Sequence, residues 1–331
     1  MNSVKVDRPA LLLPSVLQKG DTVGIIAPAG PVNREQFDAG VLKLKEVGLV
    51  PVYSDTIFTH EQYFAGGVRR RVDELHEMFR LPEVQAIICA RGGYGSNYLL
   101  PHLNLTLIAQ NPKILCGYSD ITTLLTYFQD TLGLVGFHGP MLVKDFARCD
   151  GVDWRSFWNA SAGRAPWSIT SSDTPTLAPI LTGTCEGKLY GGCLSLLVAS
   201  LGTPYEIQTD DTILFLEDLA EWPYRIDRML MHLKYAGKLE KVRGIIFGEM
   251  MKCAPSPDTG YTLQQIIARI VADLDLKIPV AYGLRSGHVS GANITLPIGT
   301  RAQLSVAETV ILDILEAATV ARAETNKAGQ N

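Results

Sequence analysis

At 331 residues the chain exceeds the length at which a single hydrophobic core stops growing, so two domains are expected. Its 30 basic and 34 acidic residues leave it mildly acidic, with no clustered basic face to suggest a nucleic-acid partner. No run reaches the ~20 apolar residues of a membrane helix, and Leu11-Leu12-Leu13, broken by Pro14, is too short for a secretory signal; a soluble, cytoplasmic protein with no membrane partner is expected.

The first half alternates apolar strands with helices. "DTVGIIAPAGPV" gives a buried strand from Val23 to Ala27 that ends in a Pro/Gly turn. A helix with Phe37, Val41 and Leu44 stops near Gly48, and "VPVYS" is a second strand. A helix over about 68–80 follows; Arg69-Arg70-Arg71 at its start is the densest basic spot and reads as a solvated helix face. "VQAIICA" is a third strand, followed by "RGGYGSN" and a helix with Tyr98, Leu99 and Leu100. "KILCGYS" is a fourth strand, then a helix from Ile121 to about Thr131, then a short fifth strand in "LVGFHGP". Continuous apolar strands alternating with helices predict a parallel sheet covered on both faces.

From about 148 to 182 the period fails, and the segment reads as a crossover between domains. Beyond it come short strands: "CEGKLYGG", "TILFLED", "VRGIIFGEM", "IPVAYGL", "ANITLPIG" and "AQLSVAETVILDIL". Helices over about 193–202, 223–236 and 262–273 lie among them. This predicts a β-rich α+β domain from 183 to 331, after a first domain over 1–150; the polar end "ETNKAGQN" is expected to fray. The six cysteines show no C-x-x-C spacing and read as reduced, buried thiols rather than as a disulfide framework or a zinc site.

Ligands of open parallel sheets bind outside the carboxyl ends of the strands. Three turns, "APAG", "RGGYG" and "GYSD", sit at such ends. Ser119 in "GYSD" has two readings: a helix N-cap, or a nucleophile on a strand–turn–helix elbow. The G-x-S-x-G elbow wants a second glycine where this chain has Ile121, so the match is half complete. A nucleophilic serine needs a base, an orienting carboxylate and backbone donors for the oxyanion. The N–H of Asp120 and one from "RGGYG", with Gly93 favoured, meet the last need. Of six histidines, His60, His76 and His232 read as surface residues and His102 lies in a loop. His138 in "GFHGP" and His288 in "SGHVSG" remain as bases that spacing does not separate. Glu217 ends an apolar strand and could face a cleft, or pair with Arg225 or Arg228, or cap the next helix.

Taken together, "RGGYGSNYLL", "GYSDITTLL", "FLEDLAEWPYRIDRML" and "GHVSGANITLPIG" resemble the LD-carboxypeptidase family of serine peptidases, which also includes the microcin C self-immunity peptidases. The likeness runs from the first strand to about residue 315. It implies a flavodoxin-like N-terminal domain, a smaller β-rich C-terminal domain and a site assembled between them. It implies Ser119 as nucleophile, His288 as base, Glu217 as its orienting partner, and Gly93 and Asp120 as oxyanion donors. It also implies a homodimer working without cofactor or metal.

The implied reaction is hydrolysis of the L,D-peptide bond before the C-terminal D-Ala of a murein tetrapeptide, in cell-wall recycling. Within the family the alternative is a peptidyl-adenylate, on whose adenine Trp154, Trp158 or Trp167 could stack. Outside it, "RGGYG" could cradle a phosphate in a non-catalytic nucleotide- or sugar-phosphate-binding module; neither G-x-G-x-x-G nor G-x-x-x-x-G-K-[ST] supports that. Arg91, Arg225 and Arg228 are candidates for the substrate's free carboxylate, since guanidinium pairs with carboxylate through two hydrogen bonds.

Overall fold

The computed structural model describes residues 9 to 322, so the polar end expected to fray lies outside the described residues. The first half runs β1 (Thr22–Ile26), α1 (Arg34–Glu46), β2 (Val50–Val52), α2 (Val68–Arg80), β3 (Val84–Cys89), α3 (Leu105–Gln110), β4 (Ile114–Gly117), α4 (Thr122–Leu132) and β5 (Gly136–His138). The second runs α5 (Trp154–Ser161), β6 (Trp167–Thr170), β7 (Ala178–Leu181), β8 (Gly183–Cys193), α6 (Leu194–Ala199), β9 (Thr212–Glu217), α7 (Pro223–Tyr235) and β10 (Gly244–Gly248). It closes with α8 (Leu263–Asp273), β11 (Val280–Leu284), β12 (Leu296–Ile298), β13 (Arg301–Val306) and β14 (Val310–Ile314).

The first sheet has the order β12-β5-β4-β3-β1-β2. Its five N-terminal strands are parallel, and β12 joins antiparallel to β5. β4 is buried along its whole length, as expected of a strand covered on both faces. One apolar layer joins Leu75, Phe79, Leu124 and Phe128 over one face. The other face opens into a core that continues through Phe215, Phe247 and Leu304 of the second sheet. That sheet has eight strands in the order β6-β14-β13-β8-β9-β10-β11-β7. Its middle four, β8 to β11, are parallel and the flanking pairs antiparallel.

Three local readings change. The expected helix around Tyr98 is two short 3₁₀ turns, Ser96–Tyr98 and Leu100–His102. Pro101 offers no N–H to continue a helix, and α3 starts only where the Asn104 side chain accepts from Leu107 N–H. The segment 148–182 holds α5, capped by Asp153, and two strands. β6 pairs with β14 and β7 with β11, so the hydrogen bonds that order them come from about a hundred residues or more away. Arg69-Arg70-Arg71 is not a solvated face beyond Arg69. Arg71 is 1% exposed, and Arg70 pairs with the buried Glu74 at 2.9 Å.

No helix among the described residues is long and apolar enough to cross a membrane. The carboxyl ends of β1, β3 and β4 converge, as parallel pairing requires, and the turns that follow them meet.

Candidate active site

Ser119 follows β4 at the start of a 3₁₀ turn, Ser119–Ile121, that leads into α4. Its φ is +62°, in the left-handed region, and its side chain caps neither the turn nor α4. The N-cap reading is therefore corrected: a side chain on left-handed backbone is turned away from the helix N–H groups and is presented on a strained elbow. Gly92 lies directly against it. A Cβ at Gly92 would stand 2.9 Å from Ser119 Oγ and 3.4 Å from Asp120 N, so only glycine lets the "RGGYG" backbone approach. Gly93 (φ +125°) also lines the cavity above Ser119.

The three turns are clamped together by buried polar groups. Gly30 N–H donates to Gly92 O, joining "APAG" to "RGGYG". The Arg71 guanidinium donates to Gly66 O, Pro28 O and Gly95 O. The Asp120 carboxylate accepts from Ser96 N–H at 2.7 Å, tying the end of "RGGYGS" to the residue after Ser119. Burial raises the pKa of Asp120, and the Ser96 and Gly95 hydrogen bonds and the Arg71 charge counter it. Arg71 and the Asp120 carboxylate had no role in the sequence reading. Their signal is weak, since each acts on backbone groups distant in sequence.

The structure brings Glu217 and His288 together. Glu217, at the carboxyl end of β9, is fully buried, and its Oε2 accepts from His288 Nδ1–H at 2.7 Å and from His288 N–H at 3.1 Å. Gly287 (φ +90°) is needed here, because a Cβ would stand 2.7 Å from the Glu217 carboxyl carbon. The Asn293 side chain fixes the turn, accepting from Gly287 N–H and donating to Gly287 O. Burial by itself lowers the pKa of His288, but the charge and hydrogen bond of Glu217 more than offset it, and the net shift is upward. Burial by itself raises that of Glu217; the two imidazoles and the His288 hydrogen bonds overcome it, and the net shift is downward. An ionised carboxylate on Nδ1–H leaves the Nε2 lone pair of His288 free for a proton.

His288 and Ser119 line the same cavity of about 470 Å³. His138 does not reach it: it is fully buried behind Glu217. Arg91 lines the cavity, whereas Arg225 turns to Glu221 and, like Arg228, does not line it. Trp154 and Trp158 pack on the core and Trp167 is buried, so the tryptophans do not face the cavity. Four charged lining residues were missed: Lys144, Asp145, Arg148 and Lys252. Asp145, on a single π turn (Leu142–Phe146), is pushed up to about 7 by burial. Hydrogen bonds from Met141 N–H, Asn293 and Tyr118 moderate that shift. The remaining three are cations on an otherwise open rim, and no sequence period marks such residues.

Comparison with known proteins finds relatives over most of the chain. The LD-carboxypeptidase N-terminal domain model matches residues 23–139, and the LD-carboxypeptidase C-terminal domain model matches residues 186–304. A probable murein peptide carboxypeptidase of Bacillus subtilis is 39% identical over 297 residues, covering 89% of this chain and 92% of the relative. The crystal structure of a muramoyltetrapeptide carboxypeptidase from Oxalobacter formigenes superposes with a TM-score of 0.78 at 30% identity, over 89% of this chain and 99% of that one. An MccF-like protein from Bacillus anthracis superposes with a TM-score of 0.82, also at 30% identity, over 92% and 99% of the two chains.

Proposed function

The chain belongs to the LD-carboxypeptidase family, and from that premise we propose that it releases the C-terminal D-Ala of murein tetrapeptides through a Ser119–His288–Glu217 triad. One observation carries the reading: a fully buried carboxylate holds the Nδ1 side of an imidazole whose ring borders the cavity floored by Ser119. In this reading residues 1–150 supply the nucleophile, 151–182 cross over, and 183–331 supply carboxylate and base.

His288 Nε2 takes the Ser119 Oγ proton as the oxygen attacks the carbonyl of the L-residue. The oxyanion forms against the N–H groups of Gly93 and Asp120, the latter at the positive end of α4. The imidazolium, steadied by Glu217, then protonates the departing D-Ala amine, and water hydrolyses the acyl-enzyme by the reverse proton path. Arg91, Lys144, Arg148 and Lys252 around the cavity suit a substrate carrying several carboxylates. A role in peptidoglycan recycling, a cytoplasmic site and a homodimer belong to the same reading.

A peptidyl-adenylate substrate is the second reading, favoured by the MccF-like structure. Against it, Tyr118 is the benzenoid ring lining the cavity among the described residues, and it is buried, which leaves no exposed face for an adenine. Purified enzyme given a disaccharide tetrapeptide and, separately, a peptidyl-adenylate decides the matter. D-Ala release from the first, abolished by Ser119→Ala and by His288→Ala, is the expected result. Hydrolysis of the adenylate alone overturns the tetrapeptide reading. Failure of a fluorophosphonate to label Ser119 in folded protein, with nucleotide still bound, would point to the non-catalytic module.

A further inference from the structure

The second oxygen of Glu217 is the feature the triad leaves unexplained. Oε2 takes both hydrogen bonds from His288, while Oε1, in a fully buried side chain, has no hydrogen-bond partner among the described residues. His138 Nε2 lies 3.9 Å from it, in a ring that is also fully buried, and it too has no hydrogen-bond partner among the described residues. On its other side, His138 Nδ1 lies 3.0 Å from the hydroxyl of Ser286, itself fully buried. His138 ends β5, beside Gly117 of β4, and packs edge-on against Phe215 of β9. Two orphaned polar atoms facing each other in a sealed interior are rare and carry a cost unless they are complementary.

We propose that His138 is a positioning residue for the catalytic carboxylate: its neutral ring, with Nδ1 accepting from the Ser286 hydroxyl, directs Nε2–H at Glu217 Oε1 and holds the carboxylate in the orientation that serves His288. The proposal rests on the triad reading above. The tautomer follows from charge. With the proton on Nδ1 instead, the Nε2 lone pair would face an ionised carboxylate oxygen, a repulsive contact in a medium of low dielectric. A doubly protonated ring is excluded near neutrality, since burial holds His138 down to about 4. The 3.9 Å separation is long for a hydrogen bond in the free enzyme, as catalytic contacts often are before the transition state tightens them.

The charged and titratable groups around the pair are few. Glu217 meets His288, His138, Asp218 and Cys193, and His288 also feels Asp145. Tyr118 faces both imidazoles, with ring centres 6.1 Å from His138 and 5.0 Å from His288. A donor dipole aimed at Glu217 favours the anionic form of the Glu217–His288 pair. Removing it makes the pair easier to protonate, so the acidic limb of activity moves to higher pH.

The test uses the rate at which a fluorophosphonate labels Ser119, because it reports the activated nucleophile whatever the natural substrate is. It is measured against pH in full-length wild type, His138→Leu and His138→Gln. Leucine fills the space without a donor, whereas glutamine restores an N–H near the position of Nε2. The expected result is labelling about 10-fold slower in His138→Leu, near the low end of a lost bond to a charged group, with the acidic limb raised. His138→Gln should recover to within about 3-fold of wild type. Equal losses in the two variants with an unmoved limb, or wild-type labelling in His138→Leu, would overturn the proposal. If His138→Leu does not fold, Ser286→Ala takes its place, which frees the tautomer while leaving the ring. At least a 3-fold loss supports the proposal and a wild-type rate overturns it. A wild-type enzyme that labels normally but releases no D-Ala defeats only the substrate assignment. One that never labels defeats the triad and this proposal together.

Discussion

Glu217→Gln removes a charge and almost nothing else. Both hydrogen bonds to His288 converge on Oε2, so a carboxamide that places its oxygen there keeps both. Its NH2 group then falls where Oε1 was, facing His138 Nε2, and the His138 ring can answer by moving its proton to the Ser286 side. The Nδ1–H tautomer of His288 therefore survives, and what is lost is the charge that stabilises the imidazolium. A hydrogen bond to a charged group is worth about 1.5–3 kcal/mol, or about 10- to 150-fold in rate at 1.36 kcal/mol per decade. By contrast, a carboxamide that inverts the histidine tautomer costs about 10⁴-fold in serine hydrolases. The sign on the pH profile is also fixed. Glu217 is what raises the pKa of His288, so its loss lets that value fall, and the acidic limb of kcat/KM moves to lower pH. Steady-state D-Ala release between pH 4 and 9 measures both effects. A loss near 10⁴-fold, or a limb that stays in place, would refute the account of which Glu217 oxygen does what.

Gly287→Ala combines a left-handed backbone with a Cβ driven into the Glu217 carboxyl group, so activity should fall at least about 100-fold, with a stability loss of about 1–3 kcal/mol in urea unfolding. Arg71→Met leaves the carbonyls of Gly66, Pro28 and Gly95 without their donor and should cost about 3 kcal/mol; an unfolding free energy in urea within about 1 kcal/mol of wild type would contradict the clamp. Asp145 carries a raised pKa, so the stability it lends is complete below its unfolded value and is lost as pH rises through about 7. Asp145→Asn should accordingly flatten the decline in stability between pH 5 and 8, measured by urea midpoints at both. Lys252→Met should raise KM for the tetrapeptide about 10-fold with little change in kcat if this rim cation meets a substrate carboxylate.

The parallel strands of the first half were legible because each is a continuous apolar run whose end is marked by glycine or proline. Glu217 was legible for the same reason, as a lone carboxylate closing "TILFLE". The choice between His138 and His288 was not, because both sit beside glycines at strand ends or turns. Only the packing of the two sheets decides which imidazole meets Glu217 Oε2 and which is sealed behind Oε1. Likewise β6 and β7 carry no strong period of their own, since their partners, β14 and β11, lie far along the chain. Arg71 read as a surface cation because its partners are carbonyl groups, which leave no trace in side-chain patterns.

At Ser119 local preference and the fold pull in different directions. Serine before a helix is a cap by preference, and that preference is worth about 1 kcal/mol. Holding a non-glycine residue at φ +62° forgoes the cap and adds about 1–2 kcal/mol of backbone strain. A short turn does not hold that conformation by itself. It is held from outside, by the Asp120 carboxylate on Ser96 N–H and by the close seat of Gly92 under Ser119, with Arg71 fixing the same turn at Gly95 O. A buried hydrogen bond to a charged group contributes about as much as the strain removes. Strain at the serine and the buried Asp120 and Arg71 are thus two halves of one arrangement. The carboxylate of Asp120, the residue after the serine, ties the "RGGYGS" turn to the backbone beside Ser119.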